Sequence, residues 1–122
     1  MTTDELKLRT KKFSLEIINL VESLPNSISC RAIANQIIRS GTSVAANYRA
    51  ACRARSDKEF ISKMNIVLEE ADETVFWLEI ILDKKWITEF KTKSLLDEAN
   101  QLVAIFVSSL KTVNSRINQS KI

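Results

Sequence analysis

The chain contains 122 residues, enough for one domain that buries a hydrophobic core without needing disulfides or a bound metal. It has one glycine, one proline and few aromatic residues, which leaves too few turn residues for an all-β or doubly wound fold. Histidine, the commonest general base and metal ligand, is absent, and one glycine cannot form a glycine-rich phosphate loop. The composition therefore predicts an all-α protein with few options for catalysis, and we expect no enzymatic activity, no cofactor and no metal site.

Charge and cysteine content indicate the surroundings of the protein. The net charge is +3, so an acidic partner is indicated by where the charges lie rather than by their total. Cys30 and Cys52 lie on one predicted helix, about 33 Å apart at 1.5 Å per residue, which excludes a disulfide within that helix. With no signal peptide and no apolar run long enough to span a membrane, we expect a cytoplasmic protein with reduced cysteines.

The first predicted helix covers about residues 4–23, because apolar side chains recur there at spacings of three, four and seven. Thr2 or Thr3 can cap its start, since a hydroxyl can accept a hydrogen bond from a free amide of the first turn. Pro25 ends the helix, because proline lacks the amide needed to continue it.

The second predicted helix covers about residues 27–54, with Asn26 or Ser27 as its cap. Gly41 is its only interior irregularity, costing up to about 1 kcal/mol relative to alanine and permitting a kink. One side of this helix is suited to a core. That side carries Ile33, Ala34, Ile37, Ile38, Gly41, Val44, Ala45, Tyr48 and Cys52.

The third and fourth predicted helices cover about residues 57–83 and 92–117. Ser56 and Glu59 have the spacing of a capping box at the start of the third. A heptad seam follows along it: Phe60, Met64, Val67, Ala71, Thr74, Leu78 and Ile81. Four long amphipathic helices with short connections predict one domain, residues 1–122, folded as an antiparallel up-down-up-down four-helix bundle.

The third helix has more apolar surface than one bundle face requires. Ile66, Trp77 and Ile80 lie on the side away from its seam, as expected of a subunit interface in a homo-oligomer. Glu70 and Glu73 belong to an acidic cluster on the same helix. That cluster lacks the Glu-x-x-His pattern of carboxylate metal sites, so we interpret it as a solvated face or a complement to arginines at the interface.

The second helix carries an arginine stripe. No acidic residue lies between Glu22 and Asp57, a stretch that holds five of the seven arginines. Four of them fall within an arc of roughly 80° on a helical projection: Arg31, Arg39, Arg49 and Arg53. Guanidinium groups bind phosphate well, and Ser40, Ser43 and Asn47 lie beside the stripe as possible further contacts. Alternatively, Arg49 and Arg53 pair with Glu69, Glu73 or acids of another subunit.

Three segments of the chain resemble a known bacterial family. They are the run 36–51 (QIIRSGTSVAANYRAA), the run 55–61 (RSDKEFI) and the run 69–79 (EEADETVFWLE). Phe13-Ser14 and Leu24-Pro25 extend the similarity into the first helix. In these motifs the chain resembles the four-helix bundle family named after the 23S rRNA intervening sequence protein.

The resemblance implies a homopentameric four-helix bundle without enzymatic activity. Relatives that serve as accessory proteins of diversity-generating retroelements bind nucleic acid and a reverse transcriptase, so RNA or DNA and a reverse transcriptase are implied partners. The motif positions carried over are Arg39, Ser40, Ser43, Asn47, Tyr48 and Arg49. Some relatives have a glutamate where this chain has Ala50, so no role for that carboxylate applies here.

Two functions remain open from the sequence. The first is binding of RNA or DNA through the arginine stripe with little sequence specificity. Low specificity is expected because the chain has no aromatic platform for stacking bases beyond Tyr48. The second is a protein-interaction scaffold without direct nucleic-acid contact, in which the basic second helix and the acidic third helix bind each other between subunits or bind another protein.

Overall fold

The computed structural model describes residues 1–120 and forms four α-helices over that range, with no strand. The helices are α1 (Thr3–Glu22), α2 (Ile28–Ala51), α3 (Asp57–Lys84) and α4 (Glu89–Ser120). The all-α, four-helix class predicted from composition and periodicity is confirmed.

Side-chain caps set the starts of the first three helices. The Thr2 hydroxyl accepts a hydrogen bond from the Glu5 amide at 3.1 Å, and the Glu5 carboxylate accepts one from the Thr2 amide, which completes a capping box. Ser27 and Ser56 cap α2 and α3 in the same way, each through an amide three residues later. Of the alternative caps, the structure thus selects Thr2 and Ser27.

Two helices differ by three residues from their predicted bounds, α2 at its end and α4 at both ends, since α4 continues to Ser120 rather than about residue 117. α2 ends at Ala51 rather than near Ala54, because the chain tightens into i to i+3 hydrogen bonds beyond it, such as Ala54 N to Ala51 O at 3.0 Å. α4 begins three residues earlier than predicted, at Glu89. The Glu89 carboxylate lies near the positive end of the helix and pairs with Lys93 at 2.9 Å, which favours helix there.

The predicted seam of α3 forms the centre of the core. Six of its seven residues are buried, and the seventh, Phe60, is half-buried against the same cluster. Phe13, Ile17, Leu102 and Phe106 from α1 and α4 complete that centre with at most 2 % of their surface exposed. The core therefore lies between all four helices.

α2 approaches α1 closely at Gly41. A Cβ at that position would lie 3.0 Å from both Ile17 Cγ1 and Ile17 Cγ2, and the Ser14 hydroxyl donates to the Gly41 carbonyl oxygen at 2.9 Å. Gly41 is therefore a contact point between helices, and α2 continues through it without interruption to Ala51. α1, by contrast, makes only a small contact with α4.

Candidate nucleic-acid interface on α2

The four arginines of the predicted stripe are all exposed. Arg31, Arg39 and Arg49 lie on α2 itself, and Arg53 follows directly after its end. Most of the opposite side of the helix is buried, as residues such as Val44 show, whereas Ile38, predicted on the core side, is 37 % exposed. α2 therefore presents guanidinium groups outward and aliphatic side chains inward, with no carboxylate of its own.

Arg39 is occupied by acids of α3. Its Nη1 donates to Glu70 Oε2 at 3.0 Å, and its Nη2 donates to Glu73 Oε2. Hydrogen bonding to Glu73, together with the charges of Glu70 and Glu73, raises the pKa of Arg39 above its usual value, although desolvation opposes this. One of the four arginines is therefore already bound to carboxylates of the same chain.

The other arginines of the stripe have free charges. Arg31 Nη1 donates to the Asn26 amide oxygen at 2.9 Å, a neutral partner that leaves the guanidinium charge uncompensated. Arg49 and Arg53 form no ion pair with any group among residues 1–120. The pairing with acids that the sequence left open for Arg49 and Arg53 is thus seen instead at Arg39.

Of the three polar residues expected beside the stripe, Ser40 is fully buried. The Thr74 hydroxyl donates to Ser40 Oγ at 2.9 Å, so this pair joins α2 to α3 inside the bundle. Ser43 and Asn47 are half-buried, and Asn47 Nδ2 donates to the Ser43 carbonyl oxygen at 2.9 Å. The surface available to a ligand therefore excludes Ser40, and Asn47 is partly committed to its own helix.

The predicted interface residues of α3 separate into two groups. Ile66 is 44 % exposed, whereas Trp77 and Ile80 are half-buried, and Trp77 packs against the core. Sequence reasoning missed Phe76, which is 52 % exposed and packs edge to face on Trp77 with ring centroids 4.9 Å apart. Its position four residues before Ile80, on the side opposite the seam, is the signal that could have identified it.

Exposed carboxylates surround Phe76. Glu69 and Asp72 lie seven and four residues before Phe76, and Glu79 and Asp83 lie three and seven residues after it. At these spacings the four carboxylates share the side of α3 that carries Phe76. None of them forms an ion pair within the part of the chain that the structure describes. α3 thus presents an acidic surface with an aromatic centre, next to the basic surface of α2.

A groove of about 560 Å³ lies where the start of α1 meets the connection between α2 and α3. Tyr48 lies at its floor with its ring against Phe106 at a centroid distance of 6.1 Å, and burial raises the pKa of the Tyr48 hydroxyl. Arg116 at the rim forms a bidentate pair with Asp57 at 2.9 and 3.2 Å. Tyr48 is thus a core residue, and Arg116 is committed to holding α4 against α3.

The described residues contain no group of three Cys, Asp or Glu side chains arranged to hold a metal ion. Both cysteines are free, with Cys30 buried and Cys52 half-buried. Burial raises the pKa of the Cys30 thiol. None of the helices within residues 1–120 is both apolar and long enough to cross a membrane.

Fold and surface define a class, that of small all-α bundles of four helices with a basic face on one helix and an acidic face on the next. Within that class, the chain belongs to the 23S rRNA-intervening sequence protein family, whose model matches residues 5–108. The resemblance carried by the runs around Tyr48 and Trp77 is thereby confirmed.

A crystal structure of a protein with unknown function from the S23 ribosomal protein family, from Bacteroides thetaiotaomicron, is similar to this chain at 36% identity. The match covers 86% of this chain and 97% of that one, with a TM-score of 0.80. No curated protein sequence matches the chain. Neither the family nor the crystal structure indicates a catalytic activity.

Proposed function

We propose that this protein is a non-catalytic, homo-oligomeric helical bundle that binds RNA or DNA with little sequence specificity through α2. The observation that carries the proposal is the free charge of Arg31, Arg49 and Arg53 on a surface where α2 has no carboxylate. Uncompensated cations of one sign do not improve the solubility of a helix beyond what mixed charges give, so a polyanionic ligand accounts for them better. Phosphate is the matching group, because it accepts paired hydrogen bonds from guanidinium.

The binding energy would come from release of counterions from the nucleic acid. Each phosphate neutralised on duplex DNA contributes a slope of about −0.9 to the dependence of log affinity on log salt. Three arginines of one subunit give a weak, salt-sensitive contact. An oligomer repeats that contact on every subunit, so a nucleic acid long enough to reach several subunits would bind far more tightly than to one.

Helix direction and subunit number belong to the same proposal. Connections of four or five residues favour an up-down-up-down arrangement, and the pairing of Asp57 at the start of α3 with Arg116 near the end of α4 supports opposite directions for those two helices. Exposed Ile66 and Phe76 support self-association through α3. The family resemblance favours five subunits and a reverse transcriptase as a protein partner, and the free cysteines favour a cytoplasmic location.

A triple variant tests the nucleic-acid contact. Replacing Arg31, Arg49 and Arg53 by alanine should reduce affinity for a labelled single-stranded RNA and for a random-sequence DNA duplex by about tenfold or more, with a flatter salt dependence. The matched control replaces Lys12, Lys91 and Lys111, which removes the same charge from α1 and α4. Equal losses in the two variants, or an unchanged affinity in the arginine variant, would refute the proposal.

The second candidate function is a protein-interaction scaffold, and the acidic surface around Phe76 is the observation that favours it. In that case the arginines of α2 would contact α3 of another subunit. The triple arginine variant would then change the mass of the oligomer in light scattering. A changed mass together with an absence of nucleic-acid binding by the wild type would replace the first function with the second.

A further inference from the structure

Arg39 occupies the middle of the arginine stripe. At 1.5 Å per residue it lies about 12 Å along the helix from Arg31 and about 15 Å from Arg49. Without it, the free cations of α2 are separated by a gap of about 27 Å, several times the spacing between successive phosphates along a nucleic-acid strand. A contact that follows the whole stripe therefore depends on the state of Arg39.

Glu70 and Glu73 compete with phosphate for the charge of Arg39. Each carboxylate accepts from one of the two terminal nitrogens, and together they occupy two of the five N–H donors of the guanidinium. Arg39 keeps 47 % of its side chain exposed, so a ligand can approach its remaining N–H groups, but the two carboxylates compensate its charge and repel a phosphate beside it. Carboxylate and phosphate thus compete for one cation.

A buried hydrogen bond between Ser40 and Thr74 lies next to this ion pair and holds the two glutamates in place. Ser40 follows Arg39 directly, and its hydroxyl accepts a hydrogen bond from Thr74, the residue after Glu73. This pair is fully buried, so it sets the register of α2 against α3 at this level. The glutamate side chains are only 20 % and 33 % exposed, and their position against Arg39 is therefore part of the packed structure.

We propose that Glu70 and Glu73 are a built-in competitor that keeps nucleic-acid phosphate away from Arg39 and thereby limits the affinity of the α2 surface. The inference rests on the proposed function and adds its regulation. In the free protein three separated arginines are available, and removal of the two carboxylates adds Arg39 and reduces the widest gap between free cations from about 27 Å to about 15 Å. The two acids also repel approaching phosphates, and that repulsion disappears with them.

The test compares variants of equal charge. Glu70→Gln with Glu73→Gln removes the two ion pairs of Arg39 and frees its charge, whereas Glu22→Gln with Asp97→Asn removes two exposed negative charges at distant positions. On a DNA duplex the first variant should bind about fivefold more tightly than the control, and its salt slope should be steeper than that of the wild type by about one. Circular dichroism checks that both variants keep the helical fold.

Arg39→Ala completes the experiment. In the wild type it should change the affinity less than twofold, because Arg39 is already occupied, whereas in the Glu70→Gln/Glu73→Gln background it should abolish the gain. The inference would be overturned if the control variant gained as much affinity, or if Arg39→Ala in the wild type lost as much affinity as Arg49→Ala. Either result would leave the proposed function standing. An absence of binding in every variant at low salt would instead refute the proposed function, and the inference would fail with it.

Discussion

α2 packs closely against both of its neighbours, whereas α1 and α4 hardly touch. Several buried positions of α2 hold small residues, among them Ser40, Gly41 and Ala45, and Gly41 brings the helix within van der Waals contact of Ile17. Between α1 and α4 many of the facing residues are long and charged, and grooves of about 540 and 320 Å³ remain open between the two helices. The main bridge there is Arg9, whose Nε and Nη2 donate to the Glu98 carboxylate at 2.8 and 2.6 Å.

This difference shows how side-chain size sets the distance between helices in this bundle. Glycine, alanine and serine let two backbones approach, so that van der Waals contact and buried hydrogen bonds hold them. Long polar side chains line the groove between α1 and α4, and an ion pair in reach of water bridges the two helices there. We therefore expect the two sides of the bundle to respond differently to substitution, with the α1–α4 side opening at lower free energy.

The largest effect is expected from filling the closest contact. Gly41→Leu would place a side chain where Ile17 already lies 3.0 Å from the Cβ position, and it should lower the free energy of unfolding by about 3 kcal/mol. Urea denaturation followed by circular dichroism measures the change. Ala46→Leu is the matched control, since Ala46 is exposed on the same helix and should tolerate leucine within about 0.5 kcal/mol.

A companion variant distinguishes this clash from a general intolerance of α2. Shortening the obstructing side chain by Ile17→Ala should restore part of the stability lost in Gly41→Leu, although Ile17→Ala alone is destabilising. If the two substitutions are simply additive, the close approach at Gly41 does not limit the packing of α1 on α2.

A smaller effect is expected from the buried hydrogen bond between α2 and α3. Thr74→Val removes the donor to Ser40 Oγ without a large change of volume, and it should lower the free energy of unfolding by about 1 to 2 kcal/mol. The double variant with Ser40→Ala removes both partners. It should cost less than the sum of the single variants, because each single variant already loses the one hydrogen bond that the two hydroxyls share. Strict additivity in this cycle would mean that the hydrogen bond contributes nothing.

Features governed by local sequence could be predicted before the structure. The cap at Ser56 and a threonine cap at Thr2 or Thr3 follow from hydroxyl chemistry within four residues, and the buried seam around Leu78 follows from the heptad spacing. The inward position of Tyr48 follows from the helical angle. In each case the information lies within one helix, which is the range over which periodicity and capping rules apply.

Features that depend on how two helices meet could not be predicted. The pairing of Arg39 with Glu70 and Glu73 requires the rotation and register of α2 against α3, and a single helical projection gives neither. Ser40 was placed beside the arginine stripe because serine is polar, yet its hydrogen bond to Thr74 makes it a core residue. Gly41 was predicted only as a weak point of its helix, because the position of Ile17 against it depends on how α1 and α2 pack.

The smallest effect is expected at the α1–α4 contact. Arg9→Ala removes the bidentate pair with Glu98 and the hydrogen bond to Gln101. Because these side chains remain partly in water, the substitution should lower the free energy of unfolding by only about 1 kcal/mol. Lys12→Ala is the control, because Lys12 approaches Glu16 only to 3.9 Å at the surface. Amide hydrogen exchange should show α1 and α4 opening more easily in Arg9→Ala, with α2 and α3 unchanged. If Arg9→Ala lowers the free energy of unfolding as much as Gly41→Leu does, this ion pair is as central to the fold as the close contact of α2. If all four helices open uniformly in hydrogen exchange, the two sides of the bundle unfold as one unit.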